Sequence, residues 1–327
     1  MLIIVEPEEP LNEAKAKFIS MSRVVQGIHD SDLASARGVD VREAAAAKLA
    51  SRPFKARRTI SSDAARMLRV AWQMELAARL GQQLDDPGLR QATLPTLPVQ
   101  VYYAVFNAAR AMTLTAGSPH DAHSKIHEVF AAEHYRRAFG AWSVRLTGDP
   151  ENPAASILDP PICEPISFNP MEIRMDDAEY VWAALRMARR WRLERARARW
   201  LGDKKHRTRK GAPYKNLPGT ARAELVNSER GTTLMDFTYE LRCRTNYQSI
   251  DEYSTEVADE DVRRFHDGLM HLMDVGLLCY EGQIALYAGS DPLRQEFDDW
   301  ATGAQSIGSW ATESGRARLE ALGAAGL

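Results

Sequence analysis

Cysteine is scarce in this chain: Cys163, Cys243 and Cys279 are the only three in 327 residues, far apart and in no C-x-x-C arrangement. That spacing argues against a disulfide framework and against a zinc ribbon, and a reducing cytoplasm is the expected setting. No apolar run reaches the roughly 18 residues of a membrane span. Met1–Pro10 places Glu6, Glu8 and Glu9 directly after a short apolar stretch, without the basic flank or core length of a secretory signal. An excess of one charge is missing too: 42 Lys and Arg stand against 44 Asp and Glu, a net charge of -2, so attraction to a polyanion has to come from local clustering. The usual signatures of the commonest enzyme classes are also absent. There is no G-x-x-x-x-G-K-[ST], no G-x-G-x-x-G after a strand, no G-x-S-x-G and no H-E-x-x-H.

What remains is an ordinary soluble composition, 45% hydrophobic and 26% charged, long enough for one large or two ordinary domains. Its periodicity is helical. From Ser62, the residues Met67, Val70, Ala71, Met74 and Ala78 recur at spacings of three and four up to Gly81. Val99 to Thr115 reads as a second helix and Ala122 to about Gly140 as a third. A proline-rich loop from Thr147 to Pro170 follows, and beyond it Asp176 to Trp200 forms a long helix. Thr233 with Asp236 makes a capping-box-like entry to a helix running to about Asn246, and Val262 to Cys279 keeps helical spacing. Only short strand candidates occur, such as Gln283 to Tyr287. The expected fold is all-α, an antiparallel helical bundle. The expected division is an extension over 1–60, a first part of the bundle over 61–146, an insertion over 147–230, a second part over 231–290 and a helical extension over 291–327.

Charge is unevenly placed. From Arg186 to Lys210 there are twelve Lys or Arg against Glu194 and Asp203, a local +10 that leaves about -12 for the rest of the chain. Arg195, Arg197, Arg199, Lys204, Lys205, Arg207, Arg209 and Lys210 are therefore candidate phosphate contacts, with Trp191 or Trp200 available to stack on unpaired bases. The competing reading is a solvated face, with Trp182 and Trp200 in a core stripe. His123, His127 and His134 would share one face of an unbroken helix, as metal ligands can, but no fourth ligand is evident and no metal or cofactor is expected. Finally, Leu234, Phe237 and Leu241 account for the apolar side of the helix after Thr233. Tyr239, Arg242, Cys243 and Asn246 fall on another flank, offering a guanidinium, an amide and a phenol of the kind that hold phosphate. The plainer alternative pairs Arg242 with Glu240 or Asp251 and half-buries Tyr247 as a cap.

Two separated blocks resemble HEPN-domain proteins. The first is Val101-Tyr-Tyr-Ala-Val-Phe-Asn-Ala-Ala-Arg110, then Gly117 and His123-Ser-Lys-Ile-His-Glu-Val-Phe130 with His134 and Tyr135. The second is Leu241-Arg-Cys-Arg-Thr-Asn-Tyr247, followed by the last strong helix. The resemblance covers about half the chain, and the interval of roughly a hundred residues between the blocks departs from a compact bundle of that family. It implies an antiparallel bundle, frequently a homodimer. It also implies RNA cleavage in a toxin or antiviral defence setting, with a nucleotidyltransferase as a partner in some members. Arg242 matches the motif arginine of that family, while Tyr247 sits where catalytic members place histidine. A phenol with a pKa near 10 is a poor base at neutral pH. The resemblance thus implies an RNA- or nucleotide-binding protein in which Arg242 stabilises charge on phosphorus and Asn246 orients the phosphate, with Tyr247 or His123 handling the proton. The alternatives are a catalytically silent HEPN binding module and a helical adaptor whose basic helix docks on an acidic protein.

Overall fold

The computed structural model describes residues 13–51, 58–83, 86–164, 175–208, 210–248, 250–254 and 256–327, without the side chains of 247, 248, 250 and 251. Its helices are α1 (Glu13–Ala36), α2 (Val41–Ala50), α3 (Ser62–Gln83), α4 (Pro87–Thr93), α5 (Leu97–Thr115), α6 (His123–Val129), α7 (Asp177–Gly202), α8 (Gly219–Ser228), α9 (Leu234–Cys243), α10 (Ile250–Ser254), α11 (Asp259–Ala288), α12 (Ser290–Ala304) and α13 (Trp310–Ala324). Between α6 and α7 lies one antiparallel hairpin, β1 (Arg145–Gly148) on β2 (Ser156–Asp159), in register Arg145 with Asp159 and Gly148 with Ser156. The protein is all-α. Among the described residues, no helix is long and apolar enough to cross a membrane.

The helices start where local chemistry satisfies their free N–H groups. Asp40 caps α2 and Asp86 caps α4 through their carboxylates. Asp176 with Glu179 and Thr233 with Asp236 form reciprocal capping boxes at α7 and α9. The central element is α11, about 45 Å long at 1.5 Å per residue, against which α1, α2, α5 and α12 pack. It is buried on almost every side over Leu269–Ala285. For this reason Gln283–Tyr287, a short strand candidate in the sequence, is helix: its apolar residues have neighbours all round, and a short apolar run carries no period of its own.

The three segments expected to lie outside the bundle share its core, the last of them through Leu293, Phe297 and Leu322 of α12 and α13. From α1, Phe18 packs against Phe265 with ring centroids 5.1 Å apart, and Val24, Val25 and Ile28 are fully buried. From α7, Trp182, Leu185 and Ala188 are fully buried between α1 and α9. Close helix approach depends on Gly268, where an added Cβ would lie 2.6 Å from a Val25 methyl and 2.9 Å from its backbone carbonyl carbon. Gly268→Val is therefore expected to push α1 from α11 and to destabilise by about 1–3 kcal/mol, read as a lower denaturant midpoint. An unchanged midpoint would show that this crossing tolerates separation.

Candidate functional site

Four helices, α6, α7, α9 and the end of α8, and one connection converge on a cavity of about 570 Å³. Spacing explains the convergence. His123 and His127 are four apart on α6, and Asp236, Tyr239 and Arg242 are three apart on α9, so each set shares a helix face. Arg192, Arg195 and Arg199 repeat at three and four along α7. Glu229 and Arg230 come from the turn before α9, and that turn is held by a buried arginine. Arg189 donates from Nη2 to the Val226 carbonyl at 2.9 Å and from Nε to that of Gly148 at 3.2 Å, and also reaches the Glu229 and Arg230 carbonyls. It thus caps the end of α8, where carbonyls lack partners, and burial lowers its pKa to about 10.

Asp236 is the hub. Its carboxylate accepts from both Nη atoms of Arg230, at 2.8 and 2.6 Å, from the Thr233 backbone N–H at 3.0 Å and from Arg192 at 3.4 Å. Burial opposes its charge, but Arg230 and His127 more than offset this and hold it well below the usual carboxylate range. His127 Nδ1 lies 3.0 Å from Asp236 Oδ1, and its Nε2 lies 3.1 Å from the Tyr102 hydroxyl. Tyr102 in turn lies 2.5 Å from His123 Nδ1. The His123 ring stacks on Phe106 at 4.1 Å and borders the cavity. Its pKa falls to about 4, first through burial and then through Arg242, His127 and Arg110. Burial also lowers His127, against the opposing pull of Asp236, and raises Tyr102.

Arg242 is not on an open flank as its helical position suggests. It is 9% exposed because Tyr102 and Tyr103 of α5 pack over α9. Its guanidinium lies 4.9, 5.3 and 5.5 Å from the ring centres of Tyr239, Tyr102 and Tyr103, and Nη1 donates to the Tyr103 hydroxyl at 3.1 Å. Among the described residues no carboxylate pairs with it, and its buried Nε has no partner. Glu240, one of the acids expected to neutralise it, pairs with Arg195 instead; the Asp251 side chain lies outside the described residues. Asn246 is exposed in the wide π turn Arg244–Gln248 that follows. The Tyr247 side chain also lies outside the described residues. A second wide turn, Phe130–His134, follows α6, so His134 does not share the face of His123 and His127. His134 points to Gln283 Oε1 at 2.5 Å, away from His123 and His127. No cluster of three potential metal-ligating side chains occurs among the described residues.

The basic segment is more neutral than its composition suggests. Arg195 pairs with Glu240, Arg199 with Glu229 at 3.4 Å, and Arg197 reaches the Asn216 side chain at 3.5 Å. The helix ends at Gly202, so Lys204, Lys205, Arg207 and Lys210 belong to the turns beyond it. Arg207 donates to the backbone carbonyls of Asp203 and His206, and Lys204, Lys205 and Lys210 are exposed. Arg209 lies outside the described residues. Trp200 stacks on His206 at 4.0 Å and lies 5.6 Å from the Tyr214 ring, and Trp191 lies under the Arg244 guanidinium at 4.9 Å, so both rings already have intramolecular neighbours. Sequence reasoning missed Asp236, Tyr102, Arg192 and Arg230 as members of the site. The one available signal was Tyr239, which shares a flank with Arg242. Comparison of the chain with models of protein families, with curated proteins and with solved structures gives no match.

Proposed function

We propose that this cavity binds a phosphodiester of RNA, or a nucleotide phosphate, and that the protein is an HEPN-like ribonuclease whose reaction requires no metal. The observation that carries the reading is the meeting, at one cavity, of a pocket-facing imidazole, His123, with a wall of arginines, and, packed behind the cavity-lining Tyr239, a guanidinium, Arg242, that no described carboxylate neutralises. Phosphate charge is held by such donors, and a neutral imidazole can take the proton of a 2′-hydroxyl. The 2′-oxygen then attacks phosphorus, and the bond to the 5′-oxygen breaks. The proton taken from the 2′-hydroxyl is the one the departing 5′-oxygen needs, so no net proton is consumed. His123 performs the proton transfer, and the arginine wall with Arg242 stabilises the charge on phosphorus. Exposed Asn246 and the cations Lys204, Lys205 and Lys210 extend contact along the strand.

Labelled single-stranded RNA incubated with the protein in EDTA tests this. Wild type is expected to release fragments ending in 2′,3′-cyclic phosphate, and His123→Gln to slow the release about 100-fold. Arg242→Lys, which keeps the charge but loses the planar fork, is expected to slow it as well. Equal background in all three, with native circular dichroism retained, rejects the ribonuclease reading. A silent binding module is favoured by the acidic partners of Arg192, Arg195 and Arg199. Binding that weakens steeply with salt, without cleavage, is its mark.

A further inference from the structure

Tyr102 is fully buried, yet its hydroxyl touches both histidines of the site. A phenol has one proton to give and can also accept. Asp236, ionised beside Arg230, can only accept, so its 3.0 Å contact with His127 Nδ1 requires the proton on that nitrogen. In neutral His127 this leaves Nε2 as a bare acceptor, and the Tyr102 O–H is the donor in contact with it. The Tyr102 oxygen is then the acceptor in the 2.5 Å contact, which requires a proton on His123 Nδ1. With both rings neutral, only this direction satisfies all three hydrogen bonds. It leaves His123 Nε2 without a proton.

We propose that Tyr102 joins His123 and His127 into one proton-accepting unit, in which His123 Nε2 takes a proton from the ligand and the positive charge passes to His127 beside Asp236. This use of the chain rests on the ribonuclease reading of the cavity. The transfer balances with no co-reactant. A proton binds His123 Nε2, the proton on His123 Nδ1 moves to the Tyr102 oxygen, and the former Tyr102 proton moves to His127 Nε2. His123 ends neutral with its proton on Nε2, His127 ends as imidazolium, and the two hydrogen bonds at Tyr102 have reversed. The surrounding charges favour this direction. Arg242 and Arg110, the latter paired with Asp121, lie near His123, and among the described residues no carboxylate touches its ring, whereas the Arg230 and Arg192 charges near His127 are met by Asp236 in direct contact with that ring. Tyr102 is a positioning residue here, since it acts on the ligand through His123.

Histidine-resolved ¹⁵N spectra of the full chain without RNA test the proposal. At neutral pH both His123 and His127 are expected to carry their proton on Nδ1. On acidification His127 is expected to become doubly protonated first, as His123 changes to the Nε2–H form. Finding His123 as Nε2–H while His127 is neutral would overturn the relay. In Tyr102→Phe, which keeps the ring volume, His123 is expected to revert to the Nε2–H form preferred by free imidazole, and the two rings to titrate separately. The wild-type spectrum decides alone if that variant does not fold. The expected spectrum without RNA cleavage supports the relay and removes the ribonuclease reading; cleavage with His123 as Nε2–H does the reverse. Where wild type cleaves, Tyr102→Phe is expected to lower kcat tenfold or more with little change in KM and to alter the pH profile. An unchanged profile counts against the relay.

Discussion

Replacing Arg318 with methionine is expected to remove 3–5 kcal/mol of stability, a large share of the 5–15 kcal/mol typical of a folded protein. The Arg318 side chain on α13 is wholly buried. Its Nε donates to Glu281 at 2.8 Å, its Nη1 to Glu75 and Asp274, each at 2.8 Å, and its Nη2 to Glu75 and Glu281 at 2.8 and 3.0 Å. Arg79 and Arg42 complete the cluster from α3 and α2, so three carboxylates face three guanidinium groups. The Trp72 indole N–H also donates to Glu281 at 2.8 Å. Methionine fills much of the volume but leaves the carboxylates one charge in excess inside the protein, and that residue of charge rather than lost packing sets the cost. The check is a denaturant midpoint, together with Arg318→Met/Glu281→Gln, in which the double variant is expected to lose less than the sum of the singles. A loss below about 1 kcal/mol for Arg318→Met would mean that the cluster contributes little.

Such clusters also mark the boundary of what could be read from the sequence. The capping box at Thr233 and Asp236 was legible because it is local, as were the apolar stripes of α3, α5 and α7. The role of α1 was not read, although Phe18, Met21, Val25 and Ile28 keep helical spacing, because polar residues dilute the pattern and its partner lies on distant α11. The hairpin of β1 and β2 was hidden in a proline-rich stretch, where four-residue strands leave little alternation to detect. Charge was harder still. A count along the chain makes Arg186–Lys210 a strongly basic run, but Glu240 neutralises Arg195 from 45 residues away, and only folding reveals the pair. Likewise His123 was recognised while the chain behind it was not. The contact of His127 with Asp236 spans 109 residues, and Asp236 already had a sufficient local explanation as a cap.

Lowering the pH from 7 to 5 is expected to reduce stability by several kcal/mol. His29, His123, His127, His134 and His266 are all held below the ordinary histidine value, with burial the first cause in each, and His123 and His266 fall to about 4. Unfolded histidine takes up its proton near pH 6.5, and the folded protein resists doing so. Between those limits the unfolded state binds more protons. The stability contributed by these groups is therefore complete above about pH 6.5 and is lost as pH falls toward about 4. His266 alone supplies about 2 kcal/mol of the loss at pH 5: it is fully buried, neither ring nitrogen has a partner among the described residues, and Arg90 further disfavours its charge. Glu240, raised by burial against the pull of Arg195, acts with the opposite sign and offsets part of the fall. Below the ordinary carboxylate range, protonation of Asp236 and Glu75, both held low by their arginines, continues the loss. Denaturant midpoints at pH 7, 6 and 5 check the expectation, and His266→Phe is expected to flatten the slope. A midpoint constant across that range would mean that the buried imidazoles find proton acceptors in the folded state, and the neutral rings required for the Tyr102 hydrogen-bond assignment would fail with it.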